Sequence, residues 1–167
     1  MITSTGNATI KHIAQLLKKR SLRNEEGVFV VEGLRSFREI LRDRLVKAYI
    51  SETAAGSGDY PDLKDLPHEI VSDTVMASLS DTKTSQGYLA VVKQNKNAKI
   101  IWKSDGLYLI LERLQDPGNL GTILRLSEAA GVTGLIMSSD TVDIYNPKVV
   151  RATMEPFLGF HLHIRMI

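Results

Sequence analysis

Gln115-Asp116-Pro117-Gly118-Asn119-Leu120-Gly121-Thr122-Ile123-Leu124-Arg125-Leu126-Ser127-Glu128-Ala129-Ala130-Gly131 is the stretch on which the reading of this chain turns. The apolar run Leu107–Leu111 precedes it and Leu135–Met137 follows it. That order reads as strand, tight turn, helix, strand. Asn119 is a favoured helix N-cap, and Gly131 suits the position just past a helix end. Arg125 comes four residues after Gly121, on the same helical face. Helical side chains lean toward the N-terminus, so this guanidinium is expected to reach back over Gly121, which has no side chain to block it. Helix-start amides and a cation then converge where a phosphate or ribose oxygen can sit. In open α/β sheets, ligands occupy the carboxyl ends of the strands. Spacing alone favours a surface arginine on an ordinary capped helix; the whole string reverses that and weighs toward a site.

The next segment is Asn146-Pro147-Lys148-Val149-Val150-Arg151-Ala152-Thr153-Met154. Proline fits the first helical position, with Asn146 as its cap. Lys148 and Arg151, three apart, share a face able to meet phosphates or simply water. His161 and His163 alternate on a possible strand, but no carboxylate or cysteine stands at ligand spacing, so no metal is expected. His12 and His68 read as surface residues. There is no Walker-type loop, and Gly131-x-x-Gly134 is too sparse for a dinucleotide site.

Working outward, 167 residues suffice for one ordinary domain or two small ones. The chain has no cysteine, which excludes disulfides and thiol chemistry. No apolar run approaches the roughly 20 residues of a membrane span, and the start lacks a signal-peptide core, so a cytoplasmic protein is expected. The net charge of +2 says little by itself. The basic residues, however, crowd into the stretch that ends at Arg44. Asn7 can cap a helix with the apolar stripe Ile10, Ile13, Leu16 and Leu17. Lys18, Lys19, Arg20 and Arg23 close it, and cations suit a helix C-terminus without any ligand. Val28–Val31 reads as a strand, Leu34–Leu41 as an amphipathic helix with Arg35, Arg38 and Arg42 off its apolar side, and Lys47–Ser51 as a strand. Ala54–Asp65 reads as a loop. His68–Val71 suggests a strand, Ser72 a helix cap, and Tyr88–Lys93 another strand. The repeated alternation predicts a small α/β/α sandwich over residues 1–93. Polar residues from Gln94 onward read as a linker. Lys11, Lys18, Lys19, Arg20, Arg23, Arg35 and Arg38 could follow a nucleic-acid backbone. A solvated charged face is the plainer reading, and Glu25 and Glu26 nearby favour it.

The string Asn119-x-Gly121-x-x-x-Arg125 resembles the first signature motif of the SpoU (TrmH-type) RNA ribose 2′-O-methyltransferases, of the SPOUT superfamily. The helix Asn146-Pro147-Lys148 running into Arg151-Ala152-Thr153-Met154 resembles that family's continuation. Residues 1–93 resemble its small substrate-binding domain, related to the ribosomal L30e fold, through Asn7 with Lys11, Lys18-Lys19-Arg20, Glu26–Gly33, and Leu79–Thr82 running to Gln86-Gly87. The resemblance implies an α/β protein with an L30e-like α/β/α N-terminal domain at 1–93, a linker at 94–105, and at 106–167 the first half of an α/β-knot domain, its knot incomplete. It implies methyl transfer from S-adenosylmethionine to a ribose 2′-hydroxyl of ribosomal or transfer RNA, no membrane partner, and a homodimer for an intact member. Asn119 and Arg125 are then the catalytic pair, with Arg125 orienting the hydroxyl or stabilising the alkoxide, since a guanidinium almost never deprotonates. Lys11, Lys18, Lys19, Arg20, Arg23, Arg35, Lys148 and Arg151 are the candidate RNA contacts. No cofactor-binding residue is assigned, because the second and third motifs are expected beyond Ile167.

The resemblance departs at Glu155-Pro156, where the family has glycine and a small residue. Codons GGA GCC CTT TTT AGG encode the family's Gly-Ala-Leu-Phe-Arg. Without the first G and with one G added at the end they read Glu-Pro-Phe-Leu-Gly, which is residues 155–159. A short out-of-frame window explains this departure as well as ordinary divergence does. Two other readings stay open: a non-catalytic RNA-binding fragment, and an unrelated nucleotide-binding α/β protein. Unpartnered apolar groups at Ile110, Ile123 and Ile136 lead to the expectation that the second half is the looser one.

Overall fold

A computed structural model describes residues 1–57, 65–80, 82, 85–95, 100 and 102–153, and the backbone of 163–166. The departure at Glu155-Pro156 lies outside the described residues. The chain divides into two compact units, Met1–Gln94 and Asn95–Ile167.

The first unit opens with α1 (Ala8–Lys18), whose N-cap Asn7 accepts a hydrogen bond from the Thr9 amide. The chain turns extended at Lys19 and re-enters a helix, α2 (Arg20–Glu26), which ends on Gly27 in the left-handed conformation. The sequence reading ends a single helix in the basic run; a second helix follows there. There follow β1 (Val28–Glu32), α3 (Leu34–Arg38), β2 (Leu45–Ser51), α4 (Glu52–Gly56), β3 (His68–Val71), α5 (Asp73–Leu79) and β4 (Tyr88–Lys93). α3 is shorter than its apolar pattern implied. Ser51 and Ser72 cap α4 and α5 with their hydroxyls. α4 occupies the start of the stretch that reads as a loop.

The four strands form one sheet in the order β1-β4-β2-β3, with β4 antiparallel to both neighbours and β2 parallel to β3. Strand alternation sorts the side chains to two faces. Ile10, Ile13 and Leu16 of α1 and Val75, Met76 and Leu79 of α5 pack on Val30, Tyr49, Leu89 and Val91. On the other face Phe37 of α3 meets the Tyr88 ring at 5.7 Å, and the Tyr88 hydroxyl donates to Ala54 O of α4. The unit is thus an α/β/α sandwich. Gln94, which reads as linker, closes this unit: its side-chain amide donates to Arg23 O and Val28 O.

The second unit contains β5 (Tyr108–Leu111), α6 (Pro117–Ala129), β6 (Gly134–Met137), α7 (Pro147–Thr153) and β7 (His163–Met166). β6 lies between β5 and β7 and is parallel to both. Strand, helix and parallel strand follow in the order read from 107–137. Gly131, at φ 69°, ends α6, its amide bonded to Glu128 O. Asn146 caps α7 through the Lys148 amide.

Candidate functional site

The carboxyl ends of the parallel strands β5 and β6 carry the polar loops of the second unit. Residues 112–116 follow β5, and residues 138–141 follow β6. A connected set of bonds ties the two loops together. The Ser138 hydroxyl accepts from the Arg113 amide at 2.9 Å and donates to Asp140 Oδ1 at 2.5 Å. Gln115 Nε2 donates to Asp140 O at 2.7 Å, and the Val142 amide to Leu114 O at 2.8 Å. Arg113 Nε pairs with Asp140 at 3.1 Å. The Ser138 hydroxyl foremost, assisted by Arg113, holds Asp140 below the usual carboxylate range. Arg113 has φ 52°, the left-handed region, and is the one non-glycine residue there among those described. Sequence reading passed over it; its place directly after a strand that ends in a ligand-facing loop was the available signal.

α6 starts earlier than its motif suggested. Its N-cap is Asp116, whose carboxylate accepts from the Asn119 amide at 2.7 Å. Pro117 takes the first helical position, where its missing N–H costs nothing. Asn119 is therefore not the cap. It sits inside the first turn with its side chain exposed.

Gly121 also has a different reason for being glycine. It is buried, and a Cβ built on it would collide with the Ala152 methyl and lie 3.1 Å from the Ala152 carbonyl carbon. The two small residues let α6 and α7 cross at close range. The expectation that Gly121 clears space for Arg125 is corrected accordingly: its vacant side is filled by α7. Arg125, one turn further along α6, is exposed, and no hydrogen bond or ion pair engages its guanidinium among the described residues. Lys148 is exposed one turn before Ala152, and Arg151 is half-buried beside it. The two helices that touch at Gly121 and Ala152 thus carry Arg125 on one and Lys148 and Arg151 on the other. Asn119 stands on the turn of α6 that leads into that contact.

The cationic residues of the first unit do not form one cluster. Lys11, Lys18, Lys19 and Arg20 are exposed on and just after α1, on one face of the sheet. Arg35 and Arg38 are exposed on α3, in the opposite layer. Arg23 drops out of the set altogether. It is 2% exposed, and its Nη1 donates to Leu16 O at 2.7 Å and Leu17 O at 3.4 Å. A buried guanidinium there satisfies the carbonyls that end α1, which is a structural duty. Among the described residues no group of histidines and carboxylates could hold a metal ion, and no helix is long and apolar enough to cross a membrane.

Known proteins share this arrangement. The profile of the SpoU rRNA Methylase family matches residues 106–165, and that of the MRM3-like substrate binding domain matches residues 7–90. An uncharacterized tRNA/rRNA methyltransferase of Synechocystis is 34% identical over 91% of this chain and 57% of its own length. The mitochondrial rRNA methyltransferase 3 of Mus musculus is 29% identical over 97% of this chain and 40% of its own. The 23S rRNA (guanosine(2553)-2′-O)-methyltransferase of Bacillus subtilis is 28% identical over 99% of this chain and 64% of its own. The chain therefore spans less than two thirds of the length of these relatives. Among solved structures, an RNA 2′-O ribose methyltransferase superposes with a TM-score of 0.80 at 28% identity, covering 99% of this chain and 65% of that one. The SpoU methyltransferase AviRb of Streptomyces viridochromogenes, solved with AdoMet, gives 0.83 at 23% identity, covering 96% and 63%. The mixed α/β fold is that of these enzymes, and the chain belongs to the SpoU rRNA methylase family, with an MRM3-like substrate-binding domain ahead of the methylase segment.

Proposed function

We propose that this chain is the substrate-binding domain and leading catalytic segment of an RNA ribose 2′-O-methyltransferase acting on ribosomal or transfer RNA. The observation that carries the reading is the α6–α7 crossing. It lies within the segment matched to SpoU methylases and packs α6, which carries Arg125, against α7, which carries Lys148 and Arg151. The first unit, read as an L30e-like domain, holds the RNA through Lys11, Lys18, Lys19 and Arg20 on one layer and Arg35 on the other. The second unit is read as part of the family's knotted domain, which pairs as a homodimer in intact members.

In this reading S-adenosylmethionine supplies an electrophilic methyl group. The polar groups described at the carboxyl edge of β5 and β6 are bonded to one another, and Asp140 is paired with Arg113. These bonds hold the two loops together, and no step is assigned to their residues. The chain's own contribution is to the ribose. Arg125 orients the 2′-hydroxyl or its neighbouring phosphate and stabilises negative charge on the oxygen as its proton leaves. Asn119, exposed on the first turn of α6, positions the same nucleotide. Lys148 and Arg151 hold flanking phosphates.

The exposed cations of the first unit serve equally a second reading, in which the chain binds RNA without transferring a methyl group. Incorporation of labelled methyl from S-adenosylmethionine into ribosomal RNA, measured beside filter retention of that RNA, separates the two. The leading reading expects incorporation that Arg125→Ala lowers about a hundredfold while retention persists. Retention without incorporation selects the second reading. Absence of both removes RNA as the substrate.

A further inference from the structure

The first unit holds a cavity of about 580 Å³. It opens at the sheet edge where β1, β2 and β3 end and β4 begins, and its volume is ordinary for a small-ligand site. Met76 and Tyr88, 1% and 2% exposed, contribute apolar lining. Ser51, Thr53, Asp73 and Gln86 contribute the polar groups. The backbone is shaped for this closeness. Gly87 has φ 81°, and a Cβ on it would come within 2.5 Å of Ser51 Oγ and 2.6 Å of Ala54 Cβ. Only glycine lets the start of β4 lie against the end of β2 there.

Two of the polar groups have fixed polarity. Gln86 Oε1 accepts from the Leu34 amide at 2.9 Å, which settles how the side-chain amide is turned. Its Nε2 is then a donor with no hydrogen bond among the described residues. Asp73 accepts from the Thr53 hydroxyl at 2.6 Å and, more weakly, from the Thr53 amide at 3.4 Å. Thr53 foremost, and then Ser51, holds its carboxyl below the usual carboxylate range. Asp73 is the only charged side chain among the described lining residues, so the cavity repels a phosphate. An occupant needs a flat apolar face, two adjacent N–H donors for a carboxylate, and an acceptor beside them. Among nucleobases, guanine alone presents N2–H, N1–H and O6 in that sequence.

We propose that this cavity receives the base of an unpaired guanine in the RNA substrate, with Asp73 accepting from N1–H and N2–H and Gln86 Nε2 donating to O6. The inference rests on the RNA reading above. The apolar lining covers the base face, and the sugar and phosphate stay outside in solvent. It makes the first unit selective for sequence as well as attractive to phosphate.

The test uses the full chain carrying ¹³C-labelled methionine and alanine methyls. It is titrated with guanosine, adenosine, cytidine and uridine 5′-monophosphates and with ribose 5-phosphate. GMP is expected to shift the Met76 and Ala54 methyl signals saturably, and the other ligands to bind roughly tenfold to a hundredfold more weakly. Asp73→Asn keeps an acceptor for Thr53 and should erase the preference for GMP. Gln86→Glu keeps the acceptor for Leu34 and should weaken GMP by removing the donor. Equal shifts with ribose 5-phosphate, no saturable shift with GMP, or an unchanged preference in Asp73→Asn overturns the proposal. If structured RNA is retained on filters while GMP leaves Met76 unmoved, this inference alone fails. If GMP binds and structured RNA is not retained, the guanine site stands and the RNA reading fails.

Discussion

β4 and β5 show how differently an apolar strand fares inside one sheet and at the edge of the other. Tyr88, Leu89, Ala90, Val91 and Val92 of β4 are all buried, with helices over both faces of their sheet. β5 has no buried residue, and Ile110 at its centre is 72% exposed. Trp102, Leu107 and Leu126 of the second unit are also largely exposed. Strand composition alone does not separate Leu-Ala-Val-Val from Tyr-Leu-Ile-Leu. What separates them is place: β4 lies between two strands, whereas β5 ends its sheet, whose inner strand β6 is largely buried. The first unit completes its own core. The second presents apolar surface that calls for cover from beyond the described residues, as an interaction surface does.

This contrast breaks first on core substitutions. Leu16 is fully buried in the first unit, and Leu16→Ala should cost about 2–5 kcal/mol. Gly121→Ala forces a methyl into Ala152 and should cost the second unit about 1–3 kcal/mol. Native-state hydrogen exchange resolves both. Each substitution should lower protection in its own unit and leave the other unchanged. Adding Ala152→Gly should recover part of the Gly121→Ala loss, because it removes the methyl that is struck. Equal wild-type protection in both units would contradict the contrast itself.

Gly121 also shows where the sequence stopped informing. Its spacing from Arg125 was legible, but its reason lay across a tertiary contact with Ala152, which no local pattern announces. The same holds for Arg23, whose carbonyl partners sit on the helix before it, and for the cavity of the first unit, whose Asp73 and Gln86 come to one lining only in the fold. By contrast Asn7, Ser72, Asn146 and Gly131 act within a few residues of themselves, and their capping roles were readable directly. Asn119 failed for a local reason: two capping candidates stood three residues apart. Pro117, ideal at the first helical position, decided for Asp116. The alternation of strands and helices gave the α/β class because each period was expressed over a whole element.

The exposed and buried cations sharpen the comparison next. Replacing Lys18, Lys19 and Arg20 together by alanine should leave stability nearly unchanged and reduce the salt dependence of RNA binding. The slope should fall by about two to three, near one per lost phosphate contact. Arg23→Ala should do the reverse. It leaves Leu16 O without its donor, costing about 1–3 kcal/mol, with the salt slope intact once folded protein is compared. Paired thermal melts and filter-binding salt titrations check this. A fall in slope for Arg23→Ala would return that residue to the RNA-contacting set.

A smaller effect belongs to the β3 edge of the first sheet, where Ile2 bridges to Val71. Glu69 on β3 accepts from Lys47 at 3.0 Å and lies 3.3 Å from the Met1 ammonium. Lys47 foremost, then that ammonium, lowers its pKa. A carboxyl depressed in the folded state adds stability above its unfolded pKa and loses it as pH falls through the folded value. Acidification from neutrality through about pH 4 and below should therefore weaken the first unit, and Glu69→Gln should flatten that limb. Both groups are partly exposed, so the flattening is slight and should shrink further in high salt.

Arg113→Gly has the smallest net effect and the most instructive sign. Two terms oppose. Glycine relieves a left-handed backbone that a side chain adopts at a cost of about 1 kcal/mol or more. The substitution also removes the Asp140 pair, in which the two side chains are 75% and 51% exposed, so solvent screening leaves the pair a small contribution. Arg113→Gly should thus unfold at or slightly above the wild-type temperature, whereas Arg113→Ala loses the pair, keeps the strain and should unfold below it. The order glycine, wild type, alanine in melting temperature would show that the backbone, held by Ser138, is the strained part of this edge. The order wild type, glycine, alanine would mean that the ion pair outweighs the strain, and that the second unit's carboxyl edge is held by charge more than by its loop hydrogen bonds.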